Sequence, residues 1–341
     1  MIFSNRKISA RQMQAAVALI IFSSSLIGLP QTAVYNIYSV LIGALITAAE
    51  CALICFSVNK LACFDKSNRI VKILAGLSLI ITAGANIRLV CSAVSLYLLP
   101  KTPVWIVAAV FAAGALYMAS TGAQGAGRTG EIIFVIAAVN AVIAAAVCLY
   151  DTGGGMLTAA FEQSGDNVLL NGFRCSFMFG GAQSLFILLP ETEGENRSKK
   201  AICAVMMALA AVVAFTYTAV SKFGLGDTAD RVFPALNIMD TVNLEAFLGD
   251  RQDVLMLRMW FFAVFAAVGF EILLFGKGLV KDGGYALLIC AGASAAFALS
   301  LIFDGASSAV AGIYLTGGAS LAVFAVASVL SLIAWKWRKK G

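Results

Sequence analysis

Ten long apolar stretches follow one another along this chain, and they constrain its fold more than any other feature. A transmembrane helix needs about 20 apolar residues, and on that measure the spans lie near 12–33, 35–58, 70–98, 103–121, 130–150, 168–190, 200–222, 254–276, 284–303 and 308–335. Of the 341 residues, 61% are hydrophobic and 12% are charged, which is about half the charge of a soluble domain. The sequence therefore predicts an all-α polytopic membrane protein that forms one transmembrane domain over residues 1–341.

The basic residues predict how these spans are oriented. With the N-terminus in the cytoplasm, 17 of the 24 Lys and Arg residues fall in cytoplasmic segments and four fall in outer loops. Because cytoplasmic loops of membrane proteins are enriched in Lys and Arg, this asymmetry favours that orientation, and an even number of spans places both termini inside. We therefore interpret the net charge of +6 as a topology signal and expect no nucleic-acid partner.

Two of the spans contain residues that disfavour a continuous helix. Residues 23–30 of the first span read Ser-Ser-Ser-Leu-Ile-Gly-Leu-Pro, and residues 177–183 of the sixth read Phe-Met-Phe-Gly-Gly-Ala-Gln. Proline lacks a backbone donor and glycine is a weak helix former, and a break within lipid survives only inside protein or beside a wet cavity. Interrupted spans at matching positions in two halves indicate an inverted-repeat transporter with a midplane binding site. The alternative is two ordinary helices whose Gly and Ser residues permit close packing.

Five ionisable side chains fall within the spans, where charge is costly and commonly functional. By depth, Arg88, Arg174 and Arg258 fall in the outer half of the membrane, and Glu50 and Glu271 fall in the inner half. The outer arginines would attract a carboxylate, and either glutamate could accept a proton. The alternative for each is a side chain that reaches toward the nearest interface.

Composition argues against an enzyme. The chain has no histidine, and its eight cysteines are scattered, mostly within apolar spans, so we interpret the cysteines as small buried apolar residues. No nucleophile motif or metal-ligand cluster accompanies them. We expect no catalytic residues, no cofactor and no metal site.

Two outer segments are long enough to form more than turns. Residues 151–167 are Gly-rich and acidic, which predicts a solvated loop. Residues 223–253 contain apolar positions that could line short amphipathic helices, namely Val232, Phe233, Leu236, Met239, Leu244, Phe247 and Leu248. Such helices would lie in the membrane interface or cover the cavity as a lid.

A series of short motifs runs in order along nearly the whole chain. They are Lys7 to Gln12, Gly28 to Pro30, Leu98 to Trp105, Gly127-Arg128 with Glu131 to Phe134, Ser176 to Gly180, Phe233 to Leu236, and Leu255 to Trp260. In order and spacing they resemble the spore germination permeases, which are the B subunits of nutrient germinant receptors. Leu98 to Trp105, for example, is similar to that family's Leu-Leu-Pro-x-Thr-Pro-x-Trp junction between spans three and four.

The resemblance implies a fold, a location and partners. The fold would be that of the amino acid–polyamine–organocation transporter superfamily, a LeuT-like arrangement of two inverted five-helix repeats with broken helices one and six. The first repeat would cover about 12–150 and the second about 168–303, with a last helix over about 308–335. The protein would lie in the spore inner membrane with receptor A and C subunits, and would sense a small molecule, an amino acid being the expected ligand.

The chain departs from the family pattern at two places. Many members carry proline and an acid where this chain has Met178 and Gly181, and Val34 to Tyr38 replaces a more polar start of span two. Losing an acid beside the break removes one partner for a ligand ammonium or a cation.

We expect the ligand to bind between the interrupted parts of spans one and six, closed in by spans three and eight. The candidate ligand-binding residues are Ser24, Ser25, Gly28, Thr82, Asn86, Phe177, Phe179, Gly180, Gly181 and Trp260. For each, ordinary helix packing is the alternative. Three functions stay open: a receptor subunit whose shift in conformation its partners sense, a proton-coupled amino acid transporter in which Glu50 or Glu271 carries the proton, and a structural subunit with an inactive pocket.

Overall fold

The computed structural model describes residues 7–32, 37–61, 65–151, 167–238, 253–279 and 285–338. Within these ranges the chain forms helices and one pair of two-residue strands. Strand β1 (Ile8–Ser9) lies parallel to strand β2 (Thr192–Glu193), with Ile8 opposite Thr192. The helices in chain order are α1 (Ala10–Thr32), α2 (Ile37–Leu61), α3 (Asp65–Tyr97), α4 (Val104–Ser120), α5 (Gly122–Asp151), α6 (Val168–Ser176), α7 (Leu185–Leu188), α8 (Arg197–Asp230), α9 (Pro234–Asn237), α10 (Asp253–Leu279), α11 (Tyr285–Ile302) and α12 (Ala306–Arg338).

The predicted spans correspond to these helices. In the described part of the chain, eight helices are long and apolar enough to cross a membrane by length and composition: α1, α2, α3, α5, α8, α10, α11 and α12. The other two predicted spans are the shorter apolar helix α4 and the divided segment formed by α6 and α7. The chain is therefore a multi-pass membrane protein, with helix ends within eight residues of the predicted ones.

Helix α1 lies at the centre of the bundle. It packs against α5, α8 and α10, and 94% of its apolar window is buried inside the protein, against 28% for α5 and for α11. The outer helices expose large apolar side chains such as Leu45, Val110 and Val142, which lipid can solvate. A buried polar side chain on α1 is therefore surrounded by protein groups and not by lipid.

The sixth span is interrupted, as predicted. Helix α6 ends at Ser176, and Gly181 adopts φ 104°, a left-handed conformation that favours glycine. A short 3₁₀ turn over Ala182–Ser184 follows before α7 begins. The backbone therefore leaves helical geometry over about one turn and a half in the middle of the span.

The first span differs from the expectation, because α1 is one continuous helix through the serine stretch. The hydroxyls of Ser23 and Ser24 each lie 3.1 Å from the Ile20 carbonyl, and that of Ser25 lies 2.6 Å from the Ile21 carbonyl. Serine side chains bonded in this way to the preceding turn are satisfied inside the helix. Pro30 lies in the last turn of α1, where it cannot donate to the Leu26 carbonyl. Apart from that carbonyl, the backbone predicted to be free at Ser24 to Gly28 is retained in a helix.

Contacts between distant parts of the chain hold the bundle together at both ends. At the end predicted to be cytoplasmic, β1 pairs with β2, and Lys277 Nζ lies 2.9 Å from Glu191 Oε2. At the other end, the Tyr97 hydroxyl donates a hydrogen bond to Asn237 Oδ1, in the loop helix α9. The central polar side chains between these closures are fully buried.

The predicted outer amphipathic segment forms in part. Helix α8 continues to Asp230 through a non-helical Gly224, and α9 follows. Phe233 is buried, with its ring centroid 6.4 Å from that of Trp260, whereas Val232 is exposed. Four predicted apolar positions, Met239, Leu244, Phe247 and Leu248, lie outside the described residues, as does the loop between Asp151 and Asn167.

Candidate ligand-binding site

The break in span six is positioned by α1 and α12. A Cβ at Gly180 would lie 3.9 Å from Ser24 Cβ and 3.5 Å from Ile313 Cγ2, so this glycine sits between the two helices. A Cβ at Gly317 would clash with the carbonyl oxygen of Phe177, so α12 approaches the broken backbone as closely as glycine permits. The 3₁₀ turn after the break also contacts α2 and α3.

Asn86 connects three of these elements through its side chain. Its Nδ2 lies 3.3 Å from Ser24 Oγ on α1, and 3.4 Å and 3.5 Å from Oε1 and Oε2 of Glu271 on α10. Ser24, Asn86 and Glu271 are each 0% exposed. Since Ser24 also neighbours Gly180, the break, α1, α3 and α10 meet in one buried polar cluster, which we call the Asn86 cluster (Ser24, Asn86, Gly180 and Glu271).

Several polar atoms in and beside the cluster have no partner. Among the residues that the structure describes, Asn86 Oδ1, Gln183 Nε2 and Oε1, and Ser184 Oγ are buried without a hydrogen bond. Buried polar groups are almost always paired, and an unpaired one costs about 1–3 kcal/mol. Four such atoms at and just after a broken helix are suited to contact a polar ligand, an ion or water.

Trp260 and Thr82 connect the same region to neighbouring helices. Trp260 Nε1 donates to the Ser23 carbonyl oxygen at 3.2 Å, and the indole packs at a tilt against the Phe233 ring. Thr82 lies on α3, one helical turn before Asn86. Its hydroxyl oxygen lies 3.0 Å from that of Thr316 on α12. Trp260 thereby fixes the outer side of α1 next to the cluster.

The remaining predicted residues lie nearby but serve packing in this conformation. Ser25 bonds within α1. Gly28 packs against the methyl end of Met178, and Phe179 is buried in the apolar core. The Phe177 ring stacks edge-on against Tyr314, with centroids 5.1 Å apart. The structure therefore brings Ser24, Asn86 and Gly180 together and leaves these side chains outside the polar cluster.

Only one of the five predicted intramembrane charges joins the Asn86 cluster, namely Glu271. Glu50 is buried between α2 and α12, where its Oε1 lies 2.6 Å from the Ser320 hydroxyl. Arg174 and Arg258 are exposed, and Arg88 is half-buried. Arg88 follows Asn86 by two positions, which places the two side chains roughly 200° apart around α3. The arginines therefore do not contribute charge to the cluster.

Three buried polar residues near the site were not predicted as site residues from the sequence: Gln183, Ser184 and Thr316. Gln183 and Ser184 follow two consecutive glycines inside an apolar span, and that placement was the available signal. Thr316 has no comparable signal, since its role depends on the approach of α12 to α3.

Two solved structures share the fold. One is described as the substrate-bound outward-open state of a Na⁺-coupled sialic acid symporter, with a TM-score of 0.63 and 13% identity over 91% of this chain and 78% of that chain. The other is MhsT in complex with L-phenylalanine, with a TM-score of 0.57 and 13% identity over 94% of this chain and 100% of that chain. These similarities confirm the predicted LeuT-like fold.

The sequence itself matches one family. None of the curated proteins matches the chain. A family model described as "Spore germination protein", the spore permease family, matches residues 7–281, which include the break, the Asn86 cluster and the β1–β2 pair. This chain therefore belongs to the spore germination protein family of multi-pass membrane permeases.

Proposed function

We propose that this protein is the B subunit of a nutrient germinant receptor and that it binds a small molecule, of the amino acid class, at the Asn86 cluster. The family membership supports a role in germination. The observation that carries the location is the group of buried polar atoms without partners at Asn86, Gln183 and Ser184. A structural packing role would leave such atoms paired.

Signalling would use the contacts that close the two ends of the bundle. A ligand that binds one conformation more tightly shifts the population toward it. Because β1 pairs with β2 and Tyr97 bonds to Asn237, an opening at either end must break specific contacts. Partner A and C subunits in the spore inner membrane would respond to that shift, with both termini of this subunit in the cytoplasm.

A second candidate function is proton-coupled amino acid transport. It is favoured by the fold, because one structural relative is described as a Na⁺-coupled symporter, and by the buried carboxylates within the spans. In this function the same cluster would open alternately to the two sides of the membrane, and a buried carboxylate would carry the proton.

One experiment separates the two functions. The full chain is purified, placed in liposomes and exposed to each labelled L-amino acid, and binding and accumulation are measured on the same samples. The receptor function predicts saturable binding without accumulation. Accumulation driven by a proton gradient would instead establish transport, and an absence of binding both alone and with the A and C subunits would refute binding of this ligand class.

A further inference from the structure

Glu271 is a buried acid that has no oppositely charged partner among the residues that the structure describes. It is 0% exposed within α10, and its hydrogen-bond contacts are to Asn86 Nδ2 at 3.4 Å and 3.5 Å. Charge-assisted hydrogen bonds to a carboxylate are about 2.7–2.9 Å long, so these contacts are long. A carboxylate inside a membrane protein is costly unless a partner compensates it.

Four basic residues on the helices around Glu271 are engaged elsewhere, distant or on another face. Lys277, on the same helix, pairs with Glu191 at 2.9 Å. Arg258 is exposed and lies 13 positions away, roughly 20 Å along α10. On α3, Arg88 projects from another face than Asn86, and on α1, Arg11 lies 4.0 Å from Glu131. Among the described residues, none forms an ion pair with Glu271.

The groups around Glu271 match what a protonated amine requires. An ammonium group has three donors and no acceptor. The Asn86 cluster offers three acceptors to such a group: the Glu271 carboxylate, the unpartnered Asn86 Oδ1 and the Ser24 hydroxyl oxygen, which also accepts from Asn86 Nδ2. An ammonium group placed there would neutralise the Glu271 carboxylate and donate a hydrogen bond to Asn86 Oδ1.

We propose that Glu271, with Asn86, binds the ammonium group of the ligand, so that the site selects molecules with a protonated primary amine. This inference rests on the proposed function and deepens it, because it assigns the charged contact to a side chain of α10. The break in span six carries Met178 and Gly181 and no acid. In this proposal Glu271 supplies, from α10, the acid that binds the amine.

The test compares matched ligands on the wild-type chain in lipid nanodiscs. Each L-amino acid is measured beside its deaminated carboxylic acid and its decarboxylated amine, by binding and by thermal stabilisation. We expect binding of amino acids, weaker binding of the amines and no binding of the deaminated acids. In Glu271→Gln the affinity for amino acids should fall roughly a hundredfold, as when one partner of a buried charge pair is removed.

The control is Glu195→Gln, which makes the same change at an exposed glutamate outside the Asn86 cluster and should leave affinity unchanged. Size-exclusion profiles and melting temperatures establish that each variant folds, and Glu271→Asp, which keeps the charge, should retain the preference for amines. Should Glu271→Gln fail to fold, the matched ligands on the wild type decide. Equal binding of deaminated acids, or unchanged affinity in folded Glu271→Gln, would overturn this inference and leave the proposed function standing. No binding of any compound, with or without partner subunits, would overturn both.

Discussion

The two buried glutamates of this protein have the same side chain and were both predicted to lie in the inner half of the membrane, but their surroundings differ. Glu271 has long contacts with the Asn86 amide, and the Oδ1 of that amide is buried without a hydrogen-bond partner. Glu50 lies 2.6 Å from the Ser320 hydroxyl, which lies 2.8 Å from the Gly317 carbonyl oxygen. The Glu50 carboxyl group is thus engaged in a short hydrogen bond, whereas the Glu271 carboxyl group is available to bind a ligand.

Proton counting explains the Glu50 arrangement. The Ser320 hydroxyl has one proton and donates to one acceptor at a time. Both short contacts are satisfied together when Glu50 carries a proton and donates it to Ser320, while Ser320 donates to Gly317. This series of hydrogen bonds links α2 to α12 without net charge. It ends at Gly317, the residue that approaches the Phe177 carbonyl oxygen. We therefore interpret the Glu50 region as a structural support for the break.

The largest effect is expected at Gly317, on the Glu50 side of the comparison. In Gly317→Ala the added methyl would clash with the Phe177 carbonyl oxygen, and relief of that overlap should cost about 3 kcal/mol of stability. Thermal unfolding in detergent measures the loss. The matched control is the adjacent Gly318→Ala, whose Cβ meets no atom within 4 Å and should change stability by less than about 0.5 kcal/mol. Equal melting temperatures for the two variants would contradict the close approach of α12.

The two glutamates should respond in opposite directions to an apolar substitution. Glu271→Met removes an uncompensated buried carboxylate and should stabilise the ligand-free protein by about 1–2 kcal/mol. Glu50→Met removes a well-formed hydrogen bond and should destabilise it by about 1 kcal/mol. Melting temperatures measured without ligand test both signs, and a loss of stability in Glu271→Met would show that its carboxylate is already satisfied.

A smaller effect is expected at Gln183, beyond the break. Because both of its amide atoms are unpaired, Gln183→Leu should leave ligand-free stability unchanged or raise it slightly. If the turn contacts ligand, amino acid affinity should fall about tenfold, the value of one or two neutral hydrogen bonds. Gln14→Leu, at a partly exposed position of α1, is the control. Lower stability with unchanged affinity would assign Gln183 to packing.

The smallest effect is expected at Arg88, which lies outside the Asn86 cluster. If its charge attracts a carboxylate toward the site, Arg88→Gln should weaken amino acid binding by about threefold, mainly through a slower association rate that depends on salt. Stopped-flow binding at low and high ionic strength measures this. Association that is unchanged at low salt would show that Arg88 does not attract the ligand.

The features that depend on local composition could be predicted from the sequence. Apolar length predicted where the spans lie, because each helix must satisfy its backbone within lipid. Gly180-Gly181 predicted the interruption of span six, because φ 104° at Gly181 is accessible to glycine at little cost. The same argument was wrong for α1, since it counted Gly28 and Pro30 but not the three hydroxyls that bond back to Ile20 and Ile21.

The partners of the buried polar groups were decided by the tertiary structure. Glu50 and Ser320 are 270 positions apart, and Asn86 and Glu271 are 185 positions apart, so no local pattern relates them. Sequence depth placed Glu50 and Glu271 in one class and could not tell which would meet Asn86. That distinction arises from the packing of α3 against α10 and of α2 against α12, because in a protein interior a polar group is defined by the few atoms close enough to bond to it.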